Sequence, residues 1–276
     1  MTAWNPEIYL GFMALGLGVG AFGTLIGAGG GFVLMPVLLL LYPHESPENI
    51  TSISLAVVFL NALSGSEAYA RMRRIDYRSG LLFALATIPG AVLGALNTSL
   101  VPRRLFDVIF GVLLVAGAAL LAFKPRQAHN HPAAHNGHLT ARHLVEADGQ
   151  AFDYAFNPVL GVGISLGVGY LSSFLGIGGG IIHVPALVYL LGFPVHVATA
   201  TSHFILVVMA LTGTLVHVLE SSFAHGTHHM ISLAIGVVAG AQLGALLSNH
   251  LKGGWIIRSL ALALGLVGVR IIMQVW

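Results

Sequence analysis

From Tyr154 to Leu219 the chain runs 66 residues without a single Asp, Glu, Lys or Arg. Between Glu7 and Glu45 lies another uncharged stretch, of 37 residues. A soluble domain of this size needs a charged surface, and about a quarter of its residues normally supply it. Here only 8% of 276 residues are charged and 56% are hydrophobic. A bilayer core takes about 20 apolar residues per helical span, so stretches of this length are membrane material. This excludes a soluble enzyme, a secreted disulfide module and a nucleic-acid binder. The formal net charge of +2 does not point to nucleic acid. With no cysteine, thiolate nucleophiles and thiolate metal sites are excluded as well. The first apolar stretch lacks a basic leader and a small-residue cleavage site, and reads as a retained membrane segment.

Apolar segments fall near 8–42, 49–70, 79–100, 105–123, 158–192, 195–218, 230–250 and 255–275. The one long polar stretch, 124–157, contains Pro125, Pro132, Gly137, Gly149, five histidines and three acids. It has no periodic apolar pattern and reads as a flexible, His-rich cytoplasmic linker between membrane repeats at 1–123 and 158–276.

The two repeats are copies. Gly27-Ala28-Gly29-Gly30-Gly31 with Pro36 recurs as Gly176-Ile177-Gly178-Gly179-Gly180 with Pro185. Ala62-Leu63-Ser64-Gly65-Ser66 recurs as Ala210-Leu211-Thr212-Gly213-Thr214, and Gly90-Ala91-Val92-Leu93-Gly94-Ala95-Leu96 as Gly240-Ala241-Gln242-Leu243-Gly244-Ala245-Leu246. The offsets are 149, 148 and 150, so three matches in order keep one register. Duplications of this kind mark secondary-transporter folds.

Segments 8–42 and 158–192 are too long for one span and too short for two. Each breaks at its glycine run into arms of about 18 and about 11 residues, and the second rises only about 16 Å, half a bilayer core. Each is a re-entrant hairpin or a broken helix. The distribution of basic residues separates the two. With hairpins, each half has three spans and the halves are inverted. Arg71, Arg73, Arg74, Arg78, Lys124, Arg126, Arg142, Lys252 and Arg258 then share the cytoplasmic side, against Arg103 and Arg104 outside. With full spans the split falls from nine against two to seven against four. The expected fold is therefore an all-α, multi-pass protein of the cell (inner) membrane: two inverted repeats, each a re-entrant or broken helical hairpin plus three transmembrane helices, with both termini extracytoplasmic.

At membrane depth, irregular backbone is tolerated only in protein or beside a polar cavity, and paired Gly breaks point to a transport site. A helix starting after Gly31 or Gly180 offers unpaired N–H groups and the positive end of its dipole, which suits an oxyanion. Pro36 and Pro185 lie near the first turn of the short arms, where a missing N–H costs least. For Gly16, Gly18, Gly20, Gly163, Gly167, Gly169, Gly90, Gly94, Gly240 and Gly244 the expected role is close helix packing.

The duplicated Gly-x-Gly-Gly-Gly-x4-Pro pattern, Thr201-Ser202 at the start of the following helix and the Gly-Ala-x-Leu-Gly-Ala repeats resemble the sulfite exporter TauE/SafE family. The resemblance covers 8–123 and 158–275; the first half carries Ile53-Ser54 where the second has Thr201-Ser202. It implies a secondary carrier exporting small sulfur-containing anions such as sulfite or organosulfonates like sulfoacetate. The expected site combines Gly29, Gly30, Gly31, Gly178, Gly179 and Gly180 with Ser54, Asn61, Thr201, Ser202, Gln242 and Arg270. Ser172, Ser173 and Thr24 are further neutral candidates, although Ser and Thr also bond their own helix carbonyls. Glu67, Glu220, His183 and His203 are candidates for proton coupling, with structural roles as the plainer alternative. No cofactor, resident metal or enzymatic activity is expected. The expected partners are an anion and the lipid bilayer, with a homodimer as a candidate assembly.

Two other classes compete. A divalent-metal permease would use His129, His131, His135, His138 and His143 of the linker, and His225, His228 and His229. An intramembrane enzyme would need paired aspartates or a serine–histidine pair; Asp107 stands alone, and Ser64-Gly65-Ser66 lacks an evident base. No Gly-x4-Gly-Lys is present, so the chain carries no nucleotide engine of its own. The linker, lying between the repeats, is expected to be dispensable for transport.

Overall fold

The structure, a computed structural model, describes residues 6–42, 45–123, 139–220, 227–248, 250 and 253–275. Ten helices and one two-stranded sheet follow in the order α1 (Pro6–Leu25), α2 (Gly31–Leu41), α3 (Pro47–Arg71), α4 (Tyr77–Thr98), α5 (Arg103–Phe123), β1 (Thr140–Val145), β2 (Ala151–Phe156), α6 (Pro158–Leu175), α7 (Gly180–Tyr189), α8 (Val195–Leu219), α9 (Thr227–Ser248) and α10 (Gly253–Val275). Five helices thus precede the sheet and five of matching length follow it. Among the described residues, six helices are long and apolar enough to cross a bilayer.

Helix starts follow local chemistry. Ser46 accepts the Asn49 N–H ahead of Pro47, Asp76 accepts that of Ser79, and Asn157 accepts those of Val159 and Leu160 ahead of Pro158. Outward faces carry rows of exposed leucine and isoleucine, such as Leu81, Leu85, Leu93 and Leu96 on α4, as lipid contact demands. The helix α3 is the most enclosed of the spans.

Small residues set the pairing. Side-chain carbons at Gly16 and Gly20 of α1 would come within 2.3 and 2.4 Å of the Leu233 and Val237 carbonyl oxygens of α9. Gly236, Gly240 and Gly244 make the reciprocal approach to Met13, Leu17 and Ala21, at 2.0–2.2 Å. The two helices run parallel at backbone contact, as small-residue stripes permit. The repeat-equivalent pair, α4 and α6, does the same through Gly90, Gly94 and Gly169. Gly18, Gly163 and Gly167 meet nothing within 4 Å, so the packing role expected for them does not hold. Repeat-equivalent helices pack on each other antiparallel: Gly65 of α3 lies against His203 of α8, and Gly213 of α8 against Leu55 of α3. Likewise Gly111 of α5 meets Ile272 of α10, and Gly265 of α10 meets Ala118.

Both glycine-broken segments fold back. The α9 helix ends where Ser248 receives the Arg74 Nη1 at 3.2 Å, so α1, parallel to it, enters from the opposite end. The α2 helix returns to that opposite end, where Arg103 at the start of α5 donates to the Leu39 carbonyl at 3.0 Å. The α6–α7 segment enters and leaves at the other end, with Leu191 and Phe193 just beyond α7 packed on Tyr154 and Phe156 beside the start of α6.

The membrane segments are helical, as expected for an all-α fold, and the correction falls on the linker, expected to be flexible throughout. Residues 140–156 form an antiparallel hairpin, Thr140 opposite Phe156 and Val145 opposite Ala151. Its strands alternate exposed and covered side chains, and Tyr154 and Phe156 join a cluster with Phe83, Leu191 and Phe193. Six alternating residues per strand are a weak signal inside a charged stretch, and the hairpin's inner face becomes legible only against α4 and the α7–α8 turn. The rest of the linker, including His129, His131, His135 and His138, lies outside the described residues. His143 is described: its Nδ1 pairs with the Asp153 carboxylate at 2.7 Å across the strands.

Polar contacts fasten the hairpin. Tyr154 donates to Asp76 at 2.8 Å, Arg142 stands 3.6 Å from the same carboxylate, and the Ala147 N–H reaches the Met72 carbonyl at 3.0 Å. Arg74 donates through Nε to Glu146 at 2.6 Å, and both side chains are buried. Burial pushes the Glu146 carboxyl up, and the Arg74 guanidinium pulls it back. Removing one partner of a buried ion pair strands the other charge at a cost of about 3–5 kcal/mol. Arg74→Ala should therefore lower the melting temperature markedly, and Arg74→Ala/Glu146→Ala should recover part of the loss; equal melting of native and single variant would show the pair to be inconsequential.

Candidate functional site

The two glycine runs adopt one conformation twice. Gly27, Gly29 and Gly30 have φ of 77°, 74° and 77°; their repeat counterparts Gly176, Gly178 and Gly179 have 69°, 80° and 71°. Left-handed backbone of this kind is open to glycine at little cost. At the end of α1, the Ala28 and Gly29 N–H groups both turn back to the Gly23 carbonyl, at 2.8 and 3.2 Å. A side-chain carbon at Gly30 would sit 2.8 Å from the Val19 oxygen, so α2 begins beside a turn that α1 has already passed.

The breaks touch each other. A side-chain carbon at Gly31 would lie 2.7 Å from the Ile177 carbonyl, and one at Gly180 would lie 2.2 Å from the Gly27 oxygen. The starts of α2 and α7 are thus adjacent, and every residue of 27–31 and 176–180 is buried. In each short helix the first turn closes on the N-cap glycine. Val33 and Leu34 donate to Gly30 at 3.1 and 3.0 Å; Ile182 and His183 donate to Gly179 at 3.0 and 2.8 Å. The N–H groups ahead of these, on Phe32 and Ile181, have no acceptor within their own helix.

Each break is held by a hydroxyl from the other half. Ser54 of α3 donates to the Gly176 carbonyl at 2.6 Å, and Ser202 of α8 donates to the Gly27 carbonyl at 3.2 Å. Thr51 packs against Gly176 and Thr199 against Gly27. Val58 and Leu206 close around Gly29 and Gly178, which makes the centre of the crossing apolar. Three α3/α8 pairs, Thr51/Thr199, Ser54/Ser202 and Val58/Leu206, share the offset 148. Carrying the repeat alignment through these helices would have found the two threonines and the apolar pair, which the reading of polar residues passed over.

A hydrogen-bonded polar network flanks the first break. Thr24 donates to Asn61 at 2.9 Å, the His203 Nε2 lies 3.2 Å from the same hydroxyl, and Tyr69 donates to the Thr24 carbonyl at 2.7 Å. The second half has Ser173 and Met209 at the positions matching Thr24 and Asn61. Among the described residues, Asn61 Nδ2, Ser172 Oγ and Ser173 Oγ are buried with no hydrogen-bond partner. Ser172 stands 2.9 Å from where a side-chain carbon at Gly179 would be. Buried polar atoms without partners are rare and ask for an explanation.

The structure brings together Gly29, Gly30, Gly31, Gly178, Gly179, Gly180, Ser54 and Ser202, with Asn61 joined to the first break through Thr24 of α1. It does not bring the other three expected residues. Thr201 accepts the Asp76 N–H at 3.1 Å, at the start of α4. Gln242 donates to the Ser64 carbonyl and hydroxyl at 2.8 and 2.9 Å, bridging α9 to α3. Arg270 is exposed on α10. Of the coupling candidates, Glu67 pairs with Arg71 at the exposed end of α3, and His183 meets Ser165 at 3.1 Å.

A residue with a side chain in left-handed backbone costs about 1–2 kcal/mol before any overlap. Gly30→Ala and Gly179→Ala should therefore lower the melting temperature by more than that term alone, because their new carbons meet Val19 and Ser172. Gly163→Ala, in open space within α6, should be neutral or stabilising. Equal responses of all three variants would contradict the geometry.

Comparison with known proteins accords with the architecture. The family model described as sulfite exporter TauE/SafE matches residues 12–271. The chain is 32% identical over 270 residues to the probable membrane transporter protein YunE of Bacillus subtilis, covering 95% of this chain and 96% of that one. It is 22% identical over 271 residues to the probable membrane transporter protein MJ0441 of Methanocaldococcus jannaschii, with 94% and 93% covered. A probable membrane transporter protein of Xylella fastidiosa is 27% identical over 228 residues, with 83% and 80% covered. No solved structure matches. A duplicated, lipid-faced helical bundle and a match across nearly its whole length carry one conclusion: this multi-pass membrane protein belongs to the sulfite exporter TauE/SafE family of membrane transporters.

Proposed function

We propose that this chain exports small sulfur-containing anions, sulfite or organosulfonates such as sulfoacetate, and binds them where the two glycine breaks cross. The observation that carries the proposal is the adjacency of the α2 and α7 starts. Two helix N-termini, each equivalent to roughly half a positive charge, face one buried point. The unpartnered Asn61 Nδ2 and the Ser172 and Ser173 hydroxyls supply neutral donors near it. The burial of both breaks describes an occluded crossing. Anion access then requires the hairpins to part from Val58 and Leu206 on one side at a time, as alternating access demands.

The antiparallel packing of repeat-equivalent helices, α3 on α8 and α5 on α10, supports inverted halves. A two-fold axis that reverses helices spanning the bilayer lies in the membrane plane. The distribution of basic residues then supports a cytoplasmic β-hairpin end, with the termini outside.

Two facing termini offset about one negative charge, so a monoanion is handled better than a compact dianion. Sulfonates and bisulfite should bind more tightly than sulfate. Because Arg270 is exposed on α10, Arg270→Gln should leave that order unchanged. Competition binding of sulfoacetate, sulfite and sulfate between pH 6 and 8 checks this; sulfate tightest at every pH would contradict the proposed site.

A further inference from the structure

The bundle end remote from the β-hairpin holds a cluster unrelated to the glycine breaks. Glu48 lies in the first turn of α3, His217 in the last turn of α8, and Glu220 caps α8. Each offers one ligand atom, and these atoms all lie within 4.8 Å of one another. His217 and Glu220 are three residues apart, on one face of the helix end.

Three features separate this group from an ordinary acidic patch. The His217 side chain is fully buried (0% exposed), and neither ring nitrogen has a hydrogen-bond partner. Burying an imidazole with both nitrogens unmet is costly, and a metal ion satisfies one of them directly. Two carboxylates converge on that ring, one of them at a helix C-terminus, where the dipole disfavours negative charge and favours a cation. One imidazole with two carboxylates is a mixed nitrogen–oxygen donor set. It suits a borderline divalent ion such as Zn²⁺ better than hard Ca²⁺, which takes six or more oxygens. Tetrahedral Zn²⁺ needs ligand atoms about 3.3 Å apart, so binding draws these atoms together from a spread of at most 4.8 Å.

We propose that Glu48, His217 and Glu220 bind one divalent first-row metal ion and thereby tie the start of α3 to the end of α8. These two helices carry Ser54, Ser202, Val58 and Leu206, so the clamp fixes the far ends of the helices that frame the crossing. The ion is a structural ligand here, and the site stands independently of which anion is carried.

The test is calorimetric titration of the purified full chain in lipid nanodiscs with ZnCl₂ and CaCl₂, joined to zinc-edge X-ray absorption. One Zn²⁺ per chain is expected, with a first shell of one imidazole and oxygen ligands. Binding should weaken at least tenfold in Glu220→Gln, whose exposed position spares the fold, and in His217→Ala. It should be unchanged when His225, His228 and His229 are all replaced by alanine. No Zn²⁺ binding, Ca²⁺ bound more tightly than Zn²⁺, affinity unmoved by Glu220→Gln, or loss confined to the triple-histidine variant would each overturn the proposal.

Discussion

Backbone polar groups at membrane depth must find partners inside the protein, and the whole architecture turns on how two interrupted segments meet that demand. Within lipid, an unpaired N–H or C=O costs several kcal/mol, so a helix cannot simply stop halfway. Here each segment stops, folds back through left-handed glycines and places its break against the break of the other half. The carbonyls freed by one break are taken by hydroxyls of the opposite half, Gly176 by Ser54 and Gly27 by Ser202. Neither half completes its own hairpin. The duplication is therefore a requirement of the structure and not only its history.

The same exchange orders the rest of the bundle. The α1 helix packs on α9, and α6 on α4, each at distances that only glycine and alanine stripes allow. Every long parallel contact thus crosses between halves. Such interleaving leaves α3 and α8 enclosed near the crossing and faces leucine-rich surfaces to lipid. At the hairpin end, Arg74, Asp76 and Glu146 join the α3–α4 turn to the β-hairpin, which covers the outer end of α7 through Phe193. The sheet and the second glycine break are therefore connected through one ten-residue helix, Gly180–Tyr189.

The sequence was most informative where one requirement acts alone. The uncharged runs, the register shared by three repeated motifs and the lengths of the broken arms each have a single physical cause, and the helices lie where those signals put them. Polar residues were harder to place. Ser54 and Ser202 do reach the breaks, but Gln242 serves as a bridge between helices and Thr201 serves the start of α4. Hydropathy alone cannot distinguish a hydroxyl facing a site from one facing a neighbouring helix. The β-hairpin escaped because its strands are short and its covered side chains, Tyr154 and Phe156, have meaning only against Phe83 and Phe193. Thr51 and Thr199 escaped for the opposite reason: their part is steric, against glycines, and leaves no polar signature.

The central claim is that the starts of α2 and α7 together form one anion site. A structure of the protein with 2-bromoethanesulfonate, with the bromine located by its anomalous scattering, tests this without reliance on transport rates. The account predicts one sulfonate held at the crossing, beside the N–H groups that open α2 and α7 and within reach of Asn61 and Ser172, with bromine density adjoining it. A sulfonate bound at Arg103, Arg104 or Arg270, with the crossing still packed shut by Val58 and Leu206, would contradict it.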